Sequence, residues 1–121
     1  MDNLPAINLI SEFSPSMVKV GSRSFNDSFI ITADTVISPW LRKDRQRLSS
    51  SDLFSLLTLD VDILLVGTGP IQEIPDVSVY RAFVEKGIPI EFMNSAAACR
   101  TYNILAGEQR RVGAGITLPV G

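Results

Sequence analysis

The pattern of apolar and polar positions changes character near the middle of the chain. Between Ile7 and Ile37 apolar residues come in short runs broken by turn formers. Met17 to Val20 is closed by Gly21, and "DSFIITAD" and "TVISPW" follow, rich in β-branched and aromatic side chains. Asn26-Asp27 and Ala33-Asp34 stand where turns are needed. The pattern predicts an antiparallel meander. After "LRKDRQRLSSSD" a serine-led helix is expected, with Ser50 or Ser51 accepting from the free N–H groups at its start. Leu53, Phe54, Leu56 and Leu57 form its buried face, and it ends near Leu59.

The second half reads differently. "VDILLVG" is a continuous apolar run, the signature of a strand covered on both faces. Gly67-Thr68-Gly69-Pro70 ends it. Asp76 to Lys86 is expected to be a helix, with Val77, Tyr80, Phe83 and Val84 on its apolar stripe and Gly87 just beyond. "IPIEFM" is a further strand, Asn94 to about Ala106 a further helix, and "RRVGAGITL" the last strand. This alternation predicts crossover units around a parallel pair, with the direction of the last strand left open. The expected fold is one α/β domain over residues 1–121, with a mixed sheet and an antiparallel, β-rich first third.

Composition narrows the chemistry. A chain of 121 residues supports a single core. A net charge of −2 gives no counterion-release drive toward nucleic acid. Arg42, Lys43, Arg45 and Arg47, diluted by Asp44 and next to Trp40, therefore read as a solvated connection and not a nucleic-acid patch. The absence of histidine excludes Ser-His-Asp and Cys-His mechanisms and imidazole zinc sites. One cysteine excludes an internal disulfide and a thiolate cluster, so no metal and no catalytic residue is assigned. A reducing compartment, the cytoplasm, is expected. "MDNLPAINLISEF" carries two acids and no base and reads as neither signal nor transit peptide. No apolar run approaches the ~20 residues of a membrane helix, so membrane insertion is not expected.

Two features are candidates for a site. The Gly67-Thr68-Gly69 turn falls short of a dinucleotide fingerprint: Gln72 stands where the third glycine belongs, and Pro70 and Pro75 delay the helix. No cofactor is assigned; the turn is either structural or a cradle for another small ligand. In the helix at Asn94, Asn94 is the expected N-cap, with Ser95 able to share the role. Steps of ~100° per residue place Ala97, Ala98, Thr101, Tyr102, Ile104 and Leu105 on the sheet-facing side. Ala96, Cys99, Arg100 and Asn103 fall on the other. Cys99 then lines a groove with Asn103 and Arg100. The plainer alternative is that Cys99 packs and Arg100 pairs with Glu91 or Glu108. If the strands ending at Gly67 and Met93 are parallel neighbours, the turn and the helix start converge with Arg100 on an anion-friendly pocket. The ligand-binding candidates are Gly67, Thr68, Gly69, Asn94, Ser95, Cys99, Arg100 and Asn103. Arg110 and Arg111 either add charge there or stand as solvated edge residues.

"DILLVGTG" followed by "GIPIEFMNSAAACRTYNILAGEQRRVGAGI" resembles the Mth938-like family, the DUF498/DUF598 domain, over about Phe29 to Leu118. The likeness includes Trp40 after a strand and the serine-led helix. That family includes small bacterial and archaeal proteins of unknown function and the mitochondrial complex I assembly factor 3. The resemblance implies a three-layer α/β fold with a central mixed, mostly parallel sheet. It implies no established enzymatic activity, and action by protein association in the mitochondrial branch. Asn94-Ser95 stands where Asp-Thr is common, and Glu108-Gln109-Arg110 where Glu-Gly-Arg is common; the missing acid at 94 weakens any acid–base role. The expected function is a bacterial, non-enzymatic protein that acts through a protein partner, in the manner of respiratory-complex assembly. Phe25, Phe29 and Trp40 are expected to supply its apolar surface. The alternative is a small anionic-ligand module or enzyme built on the 67–69 turn and the 94–103 helix.

Overall fold

A computed structural model describes residues 6–42 and 47–121. The first third is β-rich, as its alternation predicts, but it divides between two sheets. Strands β1 (Ile10–Ser14), β2 (Met17–Val20) and β3 (Arg23–Phe25) form a three-stranded antiparallel meander. Strands β4 (Phe29–Ile31) and β5 (Val36–Ile37) leave it and join a five-stranded sheet. The other strands of that sheet are β6 (Ile63–Gly67), β7 (Ile90–Met93) and β8 (Val112–Ile116), in the order β5-β4-β8-β6-β7. Strand β8 lies parallel to β6 and antiparallel to β4, which settles the direction its short connection left open. The fold is α/β with a mixed central sheet.

Side-chain alternation divides the core into two layers. On β6, Leu65 enters one cluster while Leu64 and Val66 enter the other. On β4, Phe29 and Ile31 face one way and Ile30 the other. Helix α3 (Ser95–Gly107) and the three-stranded sheet cover the Leu65 face. The opposite face is covered by α1 (Ser50–Phe54), the 3-10 turn Ser55–Thr58 and α2 (Val77–Glu85).

Helix details depart from simple periodicity. The cap of α1 is Ser49, one residue before the expected serines, because Asp52 completes a capping box with it. The helix tightens into the 3-10 turn at Ser55, so the expected stripe breaks: Leu53 and Leu56 are buried and Phe54 points into solvent. Asp76 caps α2, and the backbone at Tyr80 leaves helical angles (φ −119°, ψ 20°). This rotates the stripe so that Phe83 is buried while Val77 and Val84 are exposed. Of the basic cluster, Arg42 and Arg47 are exposed, and Lys43 and Arg45 lie outside the described residues.

Candidate functional site

β6 and β7 are parallel neighbours, with Gly67 opposite Met93, so the turn after β6 and the start of α3 do meet. They meet closely enough to consume each other's polar groups. A Cβ on Gly67 would lie 2.9 Å from both Cα and Oγ of Ser95. The Ser95 amide donates to the Gly69 carbonyl at 2.8 Å, and the Gly69 amide donates back to Ser95 Oγ at 2.8 Å. Ser95 Oγ in turn donates to the Thr117 carbonyl at 2.5 Å, and the Thr117 amide donates to the Gly67 carbonyl at 3.0 Å. Gly69 sits at φ +96°, a conformation open to glycine. Asn94 spends its side chain on the Ala97 amide. Gly67, Thr68, Gly69, Asn94 and Ser95 are therefore brought together, as a lock that ties the ends of β6, β7 and β8 to α3. The Thr68, Gly69, Ser95 and Ala97 amides, which an anion there would need, are already bonded within the protein.

The other three candidates do not join them. The buried stripe of α3 is Ser95, Ala98, Cys99, Tyr102 and Ala106, turned from the expected face; Ile104, placed on the sheet side by the sequence, is exposed. The turn has a polar cause. With Ser95 held inward by its bonds, residues three, four, seven and eleven further on follow it. The groove-lining role expected for Cys99 is thereby corrected: its side chain is fully buried in the core. Burial pushes its thiol up to about 12, against a smaller opposing pull from Arg100. A thiol reagent at neutral pH is expected to leave the native protein unmodified and to label it at once in denaturant. Equal rates in the two states would put the thiol at the surface. Below its ordinary 9.0 the buried thiol is neutral in both states; its contribution to stability is lost as pH rises from there toward about 12.

Asn103 lines no groove either. It donates from Nδ2 to the Ile10 carbonyl at 2.7 Å and accepts the Ile10 amide on Oδ1 at 2.8 Å, pairing with β1 as another strand would. Tyr102 adds a bond from its hydroxyl to the Asn8 carbonyl. Arg100 is exposed, and neither of the acids suggested for it, Glu91 and Glu108, forms an ion pair with it among the described residues. Arg111 pairs with Asp60 at the opposite end of the sheet.

The apolar surface expected from Phe25, Phe29 and Trp40 is also corrected. Phe25 and Phe29 stack on each other inside the core, and Trp40 packs under α1, its indole N–H donating to the Asp52 carbonyl at 3.0 Å. Exposed apolar area lies elsewhere. Phe54 is 67% exposed, Ile71 73% and Ile74 66%. Two hollows, of about 390 and 450 Å³, share Val79; Ile74 lines one and Phe54 the other. A polar cleft of about 460 Å³ opens between Thr68 and the Thr117 to Pro119 segment. Sequence reasoning missed these features, because residues distant along the chain build them: α1 and α2 for one hollow, and segments from both halves of the chain for the other hollow and the cleft.

The signature of the DUF498/DUF598 family, proteins of unknown function, matches residues 10–117. The chain belongs to this family. A Francisella tularensis relative called "13 kDa major membrane protein" is 33% identical over 89 residues, covering 73% of this chain and 72% of its own. The Xenopus tropicalis NADH dehydrogenase 1 alpha subcomplex assembly factor 3 is 33% identical over 107 residues, 78% of this chain and 58% of the longer factor. A Bordetella pertussis structure described as a Mth938-like domain superposes with a TM-score of 0.78 at 27% identity, covering all (100%) of this chain and 91% of its own. The DUF498/DUF598 chain thus shares the Mth938-like fold and is homologous to an assembly factor. Among its described residues no helix is long and apolar enough to cross a membrane.

Proposed function

We propose that this protein is a non-enzymatic assembly component that works by binding another protein through the face of α1 and α2. The observation that carries this reading is the exposed apolar band there. Phe54 and Ile74 stand out from the surface, each lining one of two hollows that share Val79. An exposed band of this kind is what a protein interface covers. Homology to a respiratory-complex assembly factor supports the class of partner, a subunit or co-factor of assembly. Enzymatic work finds less support. The candidate turn is closed on itself, and the thiol is buried and held protonated.

The test is capture of a partner by tagged protein under reducing conditions at several salt concentrations. Phe54→Glu and Ile74→Glu are expected to reduce recovery at least tenfold without lowering thermal stability, since both side chains are mostly in solvent. Ile104→Glu, exposed on α3 across the sheet, is expected to keep it. No partner above background, or equal recovery by all three variants, would count against the reading.

A further inference from the structure

Among the described residues the central sheet ends at β7, and an edge strand presents N–H and C=O groups that another chain can pair with. The bonds to β6 fix which groups those are. The Leu64 amide donates to the Pro89 carbonyl at 2.9 Å and the Thr68 amide to the Met93 carbonyl at 2.8 Å, so every second residue from Pro89 faces β6. Ile90 and Phe92 therefore turn their backbone groups outward. We propose that Gln72 and Glu91 guard this edge and keep a second copy of the chain from pairing with it. The docking face on α1 and α2 carries no part of this inference.

Gln72 occupies the edge directly. Its Nε2 donates to the Phe92 carbonyl at 2.9 Å, the place an added strand's amide would take. The loop holds it there. The Thr68 hydroxyl is bonded to the Ile71 carbonyl at 2.7 Å and accepts the Glu73 amide at 3.0 Å, so the residues on both sides of Gln72 are anchored. The hydroxyl of Thr68, a ligand candidate in the sequence, is spent on this loop. The three-stranded sheet repeats the device: on its edge strand β1, Asn103 meets both backbone groups of Ile10.

Glu91 acts through register. When two copies of β7 align antiparallel about a twofold axis at Glu91, Ile90 of each faces Phe92 of the other, and all their outward groups pair. Moving the axis to Ile90 or to Phe92 brings Ile88 or Asn94 opposite instead. The Ile88 amide is already spent on the Phe83 carbonyl at 2.9 Å, and the Asn94 carbonyl on the Ala98 amide at 3.0 Å. The register that pairs every outward group thus sets Glu91 against Glu91, in a position where facing Cα atoms stand about 4.5 Å apart. Glu91 is exposed and forms no ion pair among the described residues. Like charges directly opposite each other work against pairing.

Sedimentation equilibrium at rising protein concentration is the test, with hydrogen exchange at the Ile90 and Phe92 amides locating any contact. Wild type is expected to form no dimer that protects these amides. Gln72→Ala/Glu91→Thr, altered only at exposed positions, is expected to dimerise at least tenfold more tightly, with both amides slowed. Gln72→Ala mixed with Gln72→Ala/Glu91→Lys sets a lysine opposite a glutamate. That mixture should associate at least tenfold more tightly than either component alone. The proposal is overturned if wild type dimerises with these amides protected, if the Gln72→Ala/Glu91→Thr protein stays as monomeric as wild type, or if its dimers leave both amides exchanging fast. It is equally overturned if the mixture binds no more tightly than its components, since residue 91 would then not face itself.

Discussion

Gly67→Ala is expected to lower stability by about 3 kcal/mol, the upper part of the range for forcing atoms into a packed interior. The new methyl would stand 2.9 Å from Ser95 Cα and 3.1 Å from Ala98 Cβ. Ser95 Cα is backbone, so no rotamer change can clear the contact; the start of α3 must move away from β6. That movement stretches the bonds of Ser95 to Gly69 and Thr117, whose groups are buried or half-buried. Buried polar groups left without partners add their own cost of about 1–3 kcal/mol. Urea denaturation of wild type and variant measures the difference. Gly107→Ala is the control, since a Cβ there meets nothing within 4 Å and the residue lies in the last turn of α3. A cost below about 1 kcal/mol at Gly67 would mean that the junction yields easily and is no lock.

This junction also marks how far the sequence could be read. A glycine-rich turn after a buried strand and an asparagine cap after the next strand were both legible, because they rest on local chemistry. Their meeting was legible only as a condition, that the strands ending at Gly67 and Met93 be parallel neighbours, which a βαβ crossover allows but does not require. What the residues do on meeting was not legible. Ser95 reads as a second cap from its position alone; its actual partners, Gly69 and Thr117, are 26 and 22 residues away. Once Ser95 is drawn inward, the whole of α3 turns with it, which buries Cys99 and leaves Ile104 in water. A weakly amphipathic helix full of alanine offers little hydrophobic signal to set its rotation, so a single hydrogen-bonded serine decides it. The same holds for Asn103, whose partner Ile10 is 93 residues away. The division of the first third into two sheets was hidden for a related reason: β4 pairs with β8 across most of the chain, and alternation within a strand does not name its neighbour.

Gly115→Ala tests the other face of the sheet and is expected to cost about 2–3 kcal/mol. On β8, Val112, Ala114 and Ile116 face α3, so Gly113 and Gly115 must face α1 and α2. The space beside Gly115 is filled by a residue from outside the sheet. A Cβ there would lie 2.6 Å from two carbons of the Trp40 ring and 3.0 Å from a third. The ring cannot simply swing aside, because its N–H is bonded to the Asp52 carbonyl in α1 and its backbone amide to Ser28. Moving Trp40 therefore disturbs α1 and the Ser28 loop together. Trp40 is the sole tryptophan, so its emission reports the displacement directly. A red shift together with the loss of stability is the expected result. In the Trp40→Leu background the added methyl meets a smaller side chain, and its further cost should fall below about 1 kcal/mol, a coupling between touching residues. An equal cost in both backgrounds would show that the Gly115 methyl acts through the β8 backbone and not through the ring.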